Sequence, residues 1–243
     1  MSPHSVNDVS EAIPPGGIAI VVGASGGIGG ALYRRLSLQS CFSTVLALGR
    51  GSSPALDLTD EESMAAAARH VAGLGGELRL LIDASGLLHG DGMAPEKSWR
   101  DLDPAHMARA FAVNAIGPAL LMKHFLPLLP RQGRSVFATL SARVGSIGDN
   151  RLGGWYSYRA SKAALNQFVR TAAIELGRRQ PGAICVALHP GTVSTPLSAP
   201  FVKAGLDVQT PEEAAARLLD TIEGLGPGSS GGFFDHRGDP VPW

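Results

Sequence analysis

A strand, a glycine turn and a helix follow one another near the start of the chain, and they constrain its fold more than any other stretch. Residues 18–22 form a continuous apolar run, which is typical of a parallel strand covered on both faces. A glycine-rich turn occupies residues 23–29, and Ile28, Leu32 and Leu36 then repeat at helical spacing. Glycines let the backbone turn sharply, and the N-terminus of a helix attracts phosphate. This unit therefore predicts a cradle for a pyrophosphate.

The alternation of strands and helices continues along the chain. Apolar runs predict further strands at 44–48, 55–58, 78–82, 135–140, 184–188 and 232–234. Capping signals and helical periodicity predict helices that begin near residues 28, 61, 104, 155 and 211. Thr59 or Asp60 can cap the second of these, with Glu62 in capping-box reach of Thr59. The predicted fold class is α/β: a single doubly wound Rossmann domain over residues 18–243, with a parallel sheet of about seven strands, after a flexible tail at 1–17.

Composition and charge narrow the range of partners. The 243 residues are 44% hydrophobic, have a formal net charge of zero and contain no cluster of Lys and Arg, so no nucleic-acid partner is expected. The N-terminus does not resemble a signal peptide, and no apolar run approaches the roughly 18 residues that a membrane span needs. Cys41 and Cys185 are predicted to be buried thiols in a reducing compartment. A cytoplasmic protein without membrane attachment is expected.

Tyr158 and Lys162 are the first candidates for chemistry. They are four residues apart, so on a helix their side chains lie on one face. An ammonium near a phenol favours the phenolate and is expected to lower the tyrosine pKa from about 10, which would allow proton transfer near neutral pH. Tyr156 has Ala160 at the same spacing and cannot do this. Taken alone, the spacing of Tyr158 and Lys162 is more typical of a surface pair.

Two further polar residues lie at informative places. Asn114 falls within the apolar stripe of the helix that starts at Asp103-Pro104, where an amide needs a hydrogen-bonding partner. Ser141 stands at the end of the predicted strand 135–140. The loops that follow strand ends form the ligand crevice in such sheets, and here they carry apolar side chains: Leu88, Met93, Leu152, Trp155, Leu197, Phe201 and Leu206.

Together these residues resemble the short-chain dehydrogenase/reductase family, from residue 18 to about residue 234. The loops at 145–150 and 153–156 and the ending at 232–235 resemble its branch with C-factor and the sniffer-type carbonyl reductases. The resemblance implies a catalytic tetrad of Asn114, Ser141, Tyr158 and Lys162, and Asp57 near the adenine. The residues expected at the cofactor are Gly23, Ser25, Gly27, Ile28, Gly29, Arg50, Asp57, Leu58, Ala84, Ser85, Gly86, Tyr158, Lys162, Pro190, Gly191 and Val193.

The resemblance implies hydride transfer between a nicotinamide and a carbonyl or alcohol carbon. Ser141 would donate a hydrogen bond to the substrate oxygen, Tyr158 would protonate it, and Lys162 would hold the ribose. Asn114 would anchor a water that links Lys162 to solvent. Seventeen positions separate Ser141 from Tyr158, a longer gap than is usual in the family, so Ser146 competes as the catalytic serine. Ser141 is preferred because a strand end is a fixed platform.

The other departures are local. Val22 stands where the family often has threonine, and Asp83 and Ser85 replace asparagine and alanine of the Asn-Asn-Ala-Gly turn, so that turn's hydrogen bonds are expected to differ. His189 is expected to be structural.

The expected cofactor is NADP(H), with NAD(H) as the alternative. No acidic residue follows the second strand, and Arg50 stands there with Ser52 and Ser53 as further donors. A small, apolar carbonyl or alcohol is the expected substrate, and the resemblance implies a homodimer or homotetramer built through the outer faces of the helices from Asp103 and Trp155. The alternative function is a C-factor-like signalling or regulatory protein that binds the cofactor, with incidental turnover.

Overall fold

The computed structural model describes residues 12–90, 92–201, 205 and 207–243. Within these ranges the strands are β1 (Gly17–Val22), β2 (Phe42–Leu48), β3 (Leu78–Asp83), β4 (Ser135–Leu140), β5 (Ala183–His189), β6 (Thr192–Val193), β7 (Val208–Gln209) and β8 (Phe233–Asp235). The main sheet has six parallel strands in the order β2-β1-β3-β4-β5-β8, and β6 pairs with β7 in a small second sheet. This confirms the doubly wound α/β fold.

The helices follow the predicted order. They are α1 (Gly27–Ser37), α2 (Glu61–Ala72), α3 (Pro104–Phe111), α4 (Gly117–Phe125), α5 (Tyr156–Gly177) and α6 (Pro211–Gly224). The Asp103 carboxylate accepts a hydrogen bond from the backbone N–H of His106, so it caps α3 as expected. The single long helix predicted from this point is instead interrupted by a π-helical turn, Ala112–Ile116, which joins α3 to α4.

Strand residues alternate between two hydrophobic cores, one on each face of the sheet. Ile18 and Ile20 of β1 belong to the core that includes residues of α2, α4 and α5, whereas Ala19 and Val21 belong to the core that includes residues of α1 and α6. Successive side chains of a strand point to opposite faces, which is why a continuous apolar run is needed to fill both cores.

The strand predicted at 55–58 is not formed, and this accounts for six strands in the main sheet rather than about seven. In this segment the Leu56 N–H donates a hydrogen bond to the carbonyl of Gly49, the residue that follows β2. Pro54 has no N–H to donate, and the Asp57 N–H donates to the side chain of Ser63 rather than to a neighbouring strand. The predicted capping box is also wrong: Asp60 caps α2 by accepting from the Glu62 N–H, while the Thr59 hydroxyl donates to Asp57.

Part of the predicted tail packs on the domain. Residues 1–11 lie outside the described residues, but Ile13 packs against the core on the α1 and α6 face. The Gly16 N–H donates a hydrogen bond of 2.7 Å to the carbonyl of Cys41. Cys41 and Cys185 are both free thiols; Cys185 is buried as predicted, whereas Cys41 is partly exposed.

One helical stretch is long and apolar enough to resemble a membrane span. No continuous apolar run reaches spanning length, yet the segment Pro104–Leu128 passes the test for a membrane span by length and composition, with a mean hydropathy of 1.3 over an 18-residue window. Core helices of soluble proteins pass the same test. Here Leu121, Met122 and Phe125 of α4 are packed in the main core, so this stretch is weak evidence for a membrane span.

Candidate active site

The parallel register brings four strand ends to one edge of the sheet. Val22 is paired with Asp83, Asp83 with Thr139, and Leu140 with Leu188. The loops that begin after these residues therefore open on the same side, where ligands bind in sheets of this kind.

The glycine turn after β1 has the geometry of a phosphate cradle. Gly23 has a φ of +80°, which favours glycine, and a Cβ added to Gly29 would lie 2.3 Å from the Gly23 carbonyl oxygen. Gly26 is the N-cap of α1 and supplies no side chain to bond the first N–H groups of that helix. Backbone donors at a helix N-terminus are then available to a pyrophosphate, so the residues present fit a dinucleotide.

Asp83 organises the turn after β3. Its buried carboxylate accepts hydrogen bonds from the N–H and hydroxyl of Ser85 and, at 2.8 Å, from the hydroxyl of Thr139. The Ala84 N–H donates to the Val22 carbonyl at 2.9 Å. Asp83 and Ser85, which replace residues of the Asn-Asn-Ala-Gly turn, therefore form a hydrogen-bond network in which Asp83 joins β3 to β4 and fixes the turn.

Tyr158 and Lys162 lie on one face of α5, as their spacing predicts. Tyr158 lines a cavity together with Ser141 and Trp155, and the Lys162 nitrogen lies 5.9 Å from the centre of the Tyr158 ring. Lys162 is only 2% exposed and donates to the Leu140 carbonyl at 2.8 Å.

The expected lowering of the Tyr158 pKa is not found. Burial raises the pKa of Tyr158 to about 12, because a phenolate there would lose its hydration. Burial also lowers the pKa of Lys162 to about 8, an effect that the nearby Asp83 carboxylate opposes. At 5.9 Å, with a hydrogen bond directed at Leu140, the ammonium does not offset the desolvation of the phenol.

Asn114 is fully buried in the π-helical turn, and its amide is held by the protein. Its Oδ1 accepts from the Leu87 N–H at 2.8 Å, while Nδ2 donates to the Leu87 carbonyl at 2.7 Å and to the Ser161 hydroxyl at 3.2 Å. Both N–H groups are therefore used. This leaves only the second lone pair of Oδ1 for the water that Asn114 was expected to anchor, so the side chain mainly fixes the loop after β3.

The two candidate serines occupy different environments. Ser141 follows β4, is 3% exposed and lines the cavity with Tyr158. Its hydroxyl donates to Oδ1 of Asn166 at 2.6 Å, a residue that sequence reasoning missed although it lies four positions after Lys162. Ser146 is buried in the next loop and accepts a hydrogen bond from the Asp149 N–H. Ser146 does not line the cavity, so it holds the loop together.

The cavity has a volume of about 520 Å³. Trp155 has a left-handed backbone with a φ of 53°, and its ring contacts Phe201 and Tyr158 edge-on at 5.1 and 6.2 Å between centroids. Glu96, which sequence reasoning also missed because no pattern marks an acid in a loop, fixes this corner: its carbonyl accepts from Trp155 and its carboxylate from Ser157. The expected apolar residues Leu88, Leu152, Trp155, Leu197 and Phe201 line the cavity; Met93 does not, and Leu206 lies outside the described residues.

The turn after β5 forms another wall of the cavity. Gly191 has a φ of +80°, and a Cβ there would lie 2.3 Å from Nε2 of Gln209, which donates to the Pro190 carbonyl at 3.1 Å. Val193 and His189 line the same wall. Burial lowers the pKa of His189 to about 4, so this histidine is neutral near pH 7.

The remaining predicted cofactor residues surround the glycine turn and the end of β2. Arg50 is exposed directly after β2, and its charge contributes to lowering the pKa of Asp57, although hydrogen bonds from Thr59 are the main cause. The Ser52 hydroxyl is already bonded to Gly49 and Pro54 backbone atoms, so it is not the free donor that was expected. Ser25 and Gly86 are exposed, Ile28 and Leu58 are half-buried, and a Cβ on Gly27 would lie 2.7 Å from the side chain of Thr195.

Comparison with known proteins identifies the family. The family model described as enoyl-(acyl carrier protein) reductase matches residues 37–222. The C-signal of Myxococcus xanthus is 42% identical over 144 residues, which is 59% of this chain and 82% of that protein. A 1-hydroxy-2-glutathionyl-2-methyl-3-butene dehydrogenase of Rhodococcus is 33% identical over 92% of this chain and 98% of its own.

A solved structure gives the same result. The NADPH-bound carbonyl reductase from chicken fatty liver superposes with a TM-score of 0.82 at 26% identity, covering 96% of both chains. Both a C-signal and a carbonyl reductase are thus among the relatives, as the loop motifs predicted. The chain belongs to the short-chain dehydrogenase/reductase family.

Proposed function

We propose that this protein is an NADP(H)-dependent oxidoreductase that interconverts a carbonyl group and an alcohol on a small apolar substrate. One observation carries the proposal: Ser141 and Tyr158 line one cavity, with Lys162 buried directly beside Tyr158, at the edge of the sheet where the glycine turn opens. When bound, the nicotinamide supplies or accepts the hydride. The NADPH-bound carbonyl reductase, which covers almost the whole chain, supports this cofactor.

The chain's own residues handle the proton and the orientation of the substrate. With a pKa raised to about 12, Tyr158 is protonated at neutral pH and is the group that gives its proton to the substrate oxygen during reduction. Ser141 holds that oxygen by a hydrogen bond. Lys162, fixed by the Leu140 carbonyl, holds the cofactor ribose and places a positive charge beside the phenol.

The proposed cofactor contacts are the expected ones. The backbone of residues 23–29 would hold the pyrophosphate, because no side chain caps the N-terminus of α1 there. The turn at 84–86 would contact the neighbouring groups of the cofactor. Pro190, Gly191 and Val193 would border the nicotinamide. Arg50 would bind the 2′-phosphate and Asp57 would lie near the adenine.

The cavity walls support an apolar, and preferably aromatic, substrate. Trp155 and Phe201 form an edge-on aromatic pair next to Tyr158, and Leu88 and Leu197 add aliphatic surface. Rings favour offset and edge-to-face contacts with such walls. Ketones, aldehydes and quinones that carry a flat apolar group are therefore the compounds to test.

The test is NADPH consumption by the full chain against a panel of aromatic and aliphatic ketones, aldehydes and quinones, followed by absorbance. We expect turnover with the aromatic members, and a Tyr158→Phe sample is the matched control for background oxidation. The 42% identity to a C-signal favours a signalling protein as the second candidate. NADPH binding with no turnover of any compound would support that candidate and contradict the proposed activity.

A further inference from the structure

Asn166 is a buried polar residue of α5 whose side chain makes one hydrogen bond within the described residues, to Ser141. It is 2% exposed, and with Tyr158 and Lys162 it forms a series at four-residue spacing, which places the three side chains along one face of the helix. Oδ1 of Asn166 and Oγ of Ser141 are 2.6 Å apart. Nδ2 of Asn166 is buried without a hydrogen-bond partner in the part of the chain that the structure describes.

Counting donors and acceptors shows what this contact means for Ser141. A serine hydroxyl has one proton, and a carboxamide oxygen can only accept. While Asn166 presents its oxygen, the Ser141 proton points to Asn166, and Ser141 can offer a substrate only its lone pairs. A carbonyl oxygen also only accepts, so this arrangement does not polarise it. The same arrangement leaves a buried amide N–H unpaired, which folded proteins rarely tolerate.

The opposite orientation of the carboxamide resolves both problems. Its oxygen and nitrogen ends have nearly the same shape, so a half-turn about the last side-chain bond fits the same space. Nδ2 then donates to Ser141 Oγ, and the hydroxyl proton is free to face the cavity that Ser141 and Tyr158 line. The unpaired atom becomes a carbonyl oxygen, which is more often left unsatisfied than an N–H.

We propose that Asn166 is a positioning residue: its amide nitrogen holds Ser141 as an acceptor and thereby directs the serine proton at the substrate oxygen. This inference rests on the proposed carbonyl-reducing function, and it adds a fifth residue whose effect passes entirely through Ser141. Its tests therefore compare each substitution in the presence and absence of the Ser141 hydroxyl.

Asn166→Asp is the sharpest variant because a carboxylate has the shape of the amide but only accepts. It would capture the Ser141 proton, so kcat for an aromatic ketone should fall about as far as in Ser141→Ala, where loss of one such donor costs roughly 10²–10³-fold. The double variant should be no slower than either single variant. As pH is lowered, kcat of Asn166→Asp should recover relative to the unaltered protein, since a protonated carboxyl can again donate to Ser141.

Asn166→Leu covers the case in which a buried charge prevents folding. It removes both hydrogen-bonding ends and leaves the serine proton unconstrained, so its loss of kcat should be smaller than that of Ser141→Ala and absent in the Ser141→Ala background. NADPH affinity, measured by fluorescence titration, should not change. Gln167→Glu adds a charge at the exposed neighbouring position and is the matched control.

The outcomes separate the two proposals. If Asn166→Leu lowers kcat equally with and without the Ser141 hydroxyl, Asn166 acts independently of Ser141 and the inference is overturned while the proposed function stands. If the unaltered protein reduces none of the compounds, the proposed function fails and the inference fails with it.

Discussion

The ammonium nitrogen of Lys162 lies 5.9 Å from the centre of the Tyr158 ring and donates its hydrogen bond to the carbonyl of Leu140, the last residue of β4. The lysine thus ties α5 to the sheet instead of pairing with the phenol. Since Ser141 follows Leu140 directly, this hydrogen bond links the helix that carries Tyr158 and Lys162 to the strand end that carries Ser141. Burial then determines the protonation of the pair.

Tyr158→Phe tests the proton donor. The substitution removes the hydroxyl and keeps the ring that packs against Trp155. General acid–base help is worth about 10²–10⁴-fold, so kcat should fall by at least that factor while NADPH affinity changes little. Tyr156→Phe is the matched control, because that tyrosine does not line the cavity. A Tyr158→Phe protein that retains more than about a tenth of the rate would rule out this role.

Lys162 should make stability depend on pH. Its pKa is lowered from 10.5 to about 8 by burial, so between these values the unfolded chain holds more protons at this residue than the folded one. The contribution of Lys162 to the free energy of unfolding should therefore rise with pH across this window, by at most about 1.4 kcal/mol per pH unit for one proton, whereas the raised pKa of Cys185 acts in the opposite direction above pH 9. Urea unfolding of the unaltered protein and of Lys162→Met at pH 7, 8, 9 and 10 isolates the effect. A constant difference between the two proteins would show that Lys162 is not desolvated.

Gly29→Ala should damage the glycine turn. The added Cβ would lie 2.3 Å from the Gly23 carbonyl oxygen, so the backbone must move. We expect destabilisation of about 1–3 kcal/mol and loss of NADPH binding by fluorescence titration. At Gly26 the nearest atom to a new Cβ is 3.4 Å away and φ is −82°, so Gly26→Ala is the local control. Equal NADPH affinity in the Gly29→Ala protein would mean that the turn does not hold the cofactor.

Much of the fold could be predicted because it depends on local signals. The strands β1, β3, β4 and β5 are apolar runs that fill two cores, and any chain with such runs must cover both faces of a sheet. The segment 55–58 has a similar pattern but pairs with no strand of the sheet, and strand pairing is a tertiary property that the pattern does not contain. Asp103 was identifiable as a cap because both signals, an acid and a following proline, are adjacent in sequence.

The site was predictable only in part for the same reason. Spacing placed Tyr158 and Lys162 on one face of α5, but the sign of the Tyr158 pKa shift depends on burial, which a sequence does not state. The two Asn114 N–H groups donate to residues 27 and 47 positions away, and the link from Ser141 to Asn166 spans 25 positions. Asn166 did carry one signal, a polar side chain four residues after Lys162.

The assembly expected from the family resemblance gives a hydrodynamic prediction. Phe168 and Ile174 of α5 are 42% and 50% exposed, and a groove that includes Phe168 runs between α4 and α5. We predict an isologous dimer, or a tetramer made of two, that covers this face. The mass measured by light scattering at micromolar concentration should exceed the 25.2 kDa of one chain. Phe168→Glu should lower this mass toward that of the monomer, whereas Leu38→Glu, at another exposed site, should not. A monomeric unaltered protein would remove the prediction.

Arg50 should set the preference for NADP(H) over NAD(H). It is exposed directly after β2, the strand end that lies beside the adenosine ribose in dinucleotide-binding folds, where an acid would select NAD. Because the Ser52 hydroxyl is used within its own turn, Arg50 has less help than expected, and Gly26 supplies no second positive charge in the glycine turn. The preference should therefore be moderate and depend mainly on one guanidinium.

Arg50→Ala is the corresponding experiment. A charge-assisted hydrogen bond is worth about 1.5–3 kcal/mol, so NADPH affinity should fall roughly 10- to 150-fold while NADH affinity stays nearly constant. Arg50→Lys keeps the charge but not the planar guanidinium, so its NADPH affinity should lie between those of the unaltered protein and Arg50→Ala. Arg69→Ala, which breaks an exposed ion pair with Glu62 on α2, is the control for a general loss of positive charge. Equal losses for NADPH and NADH in Arg50→Ala would place Arg50 away from the 2′-phosphate, and the preference would then need another source.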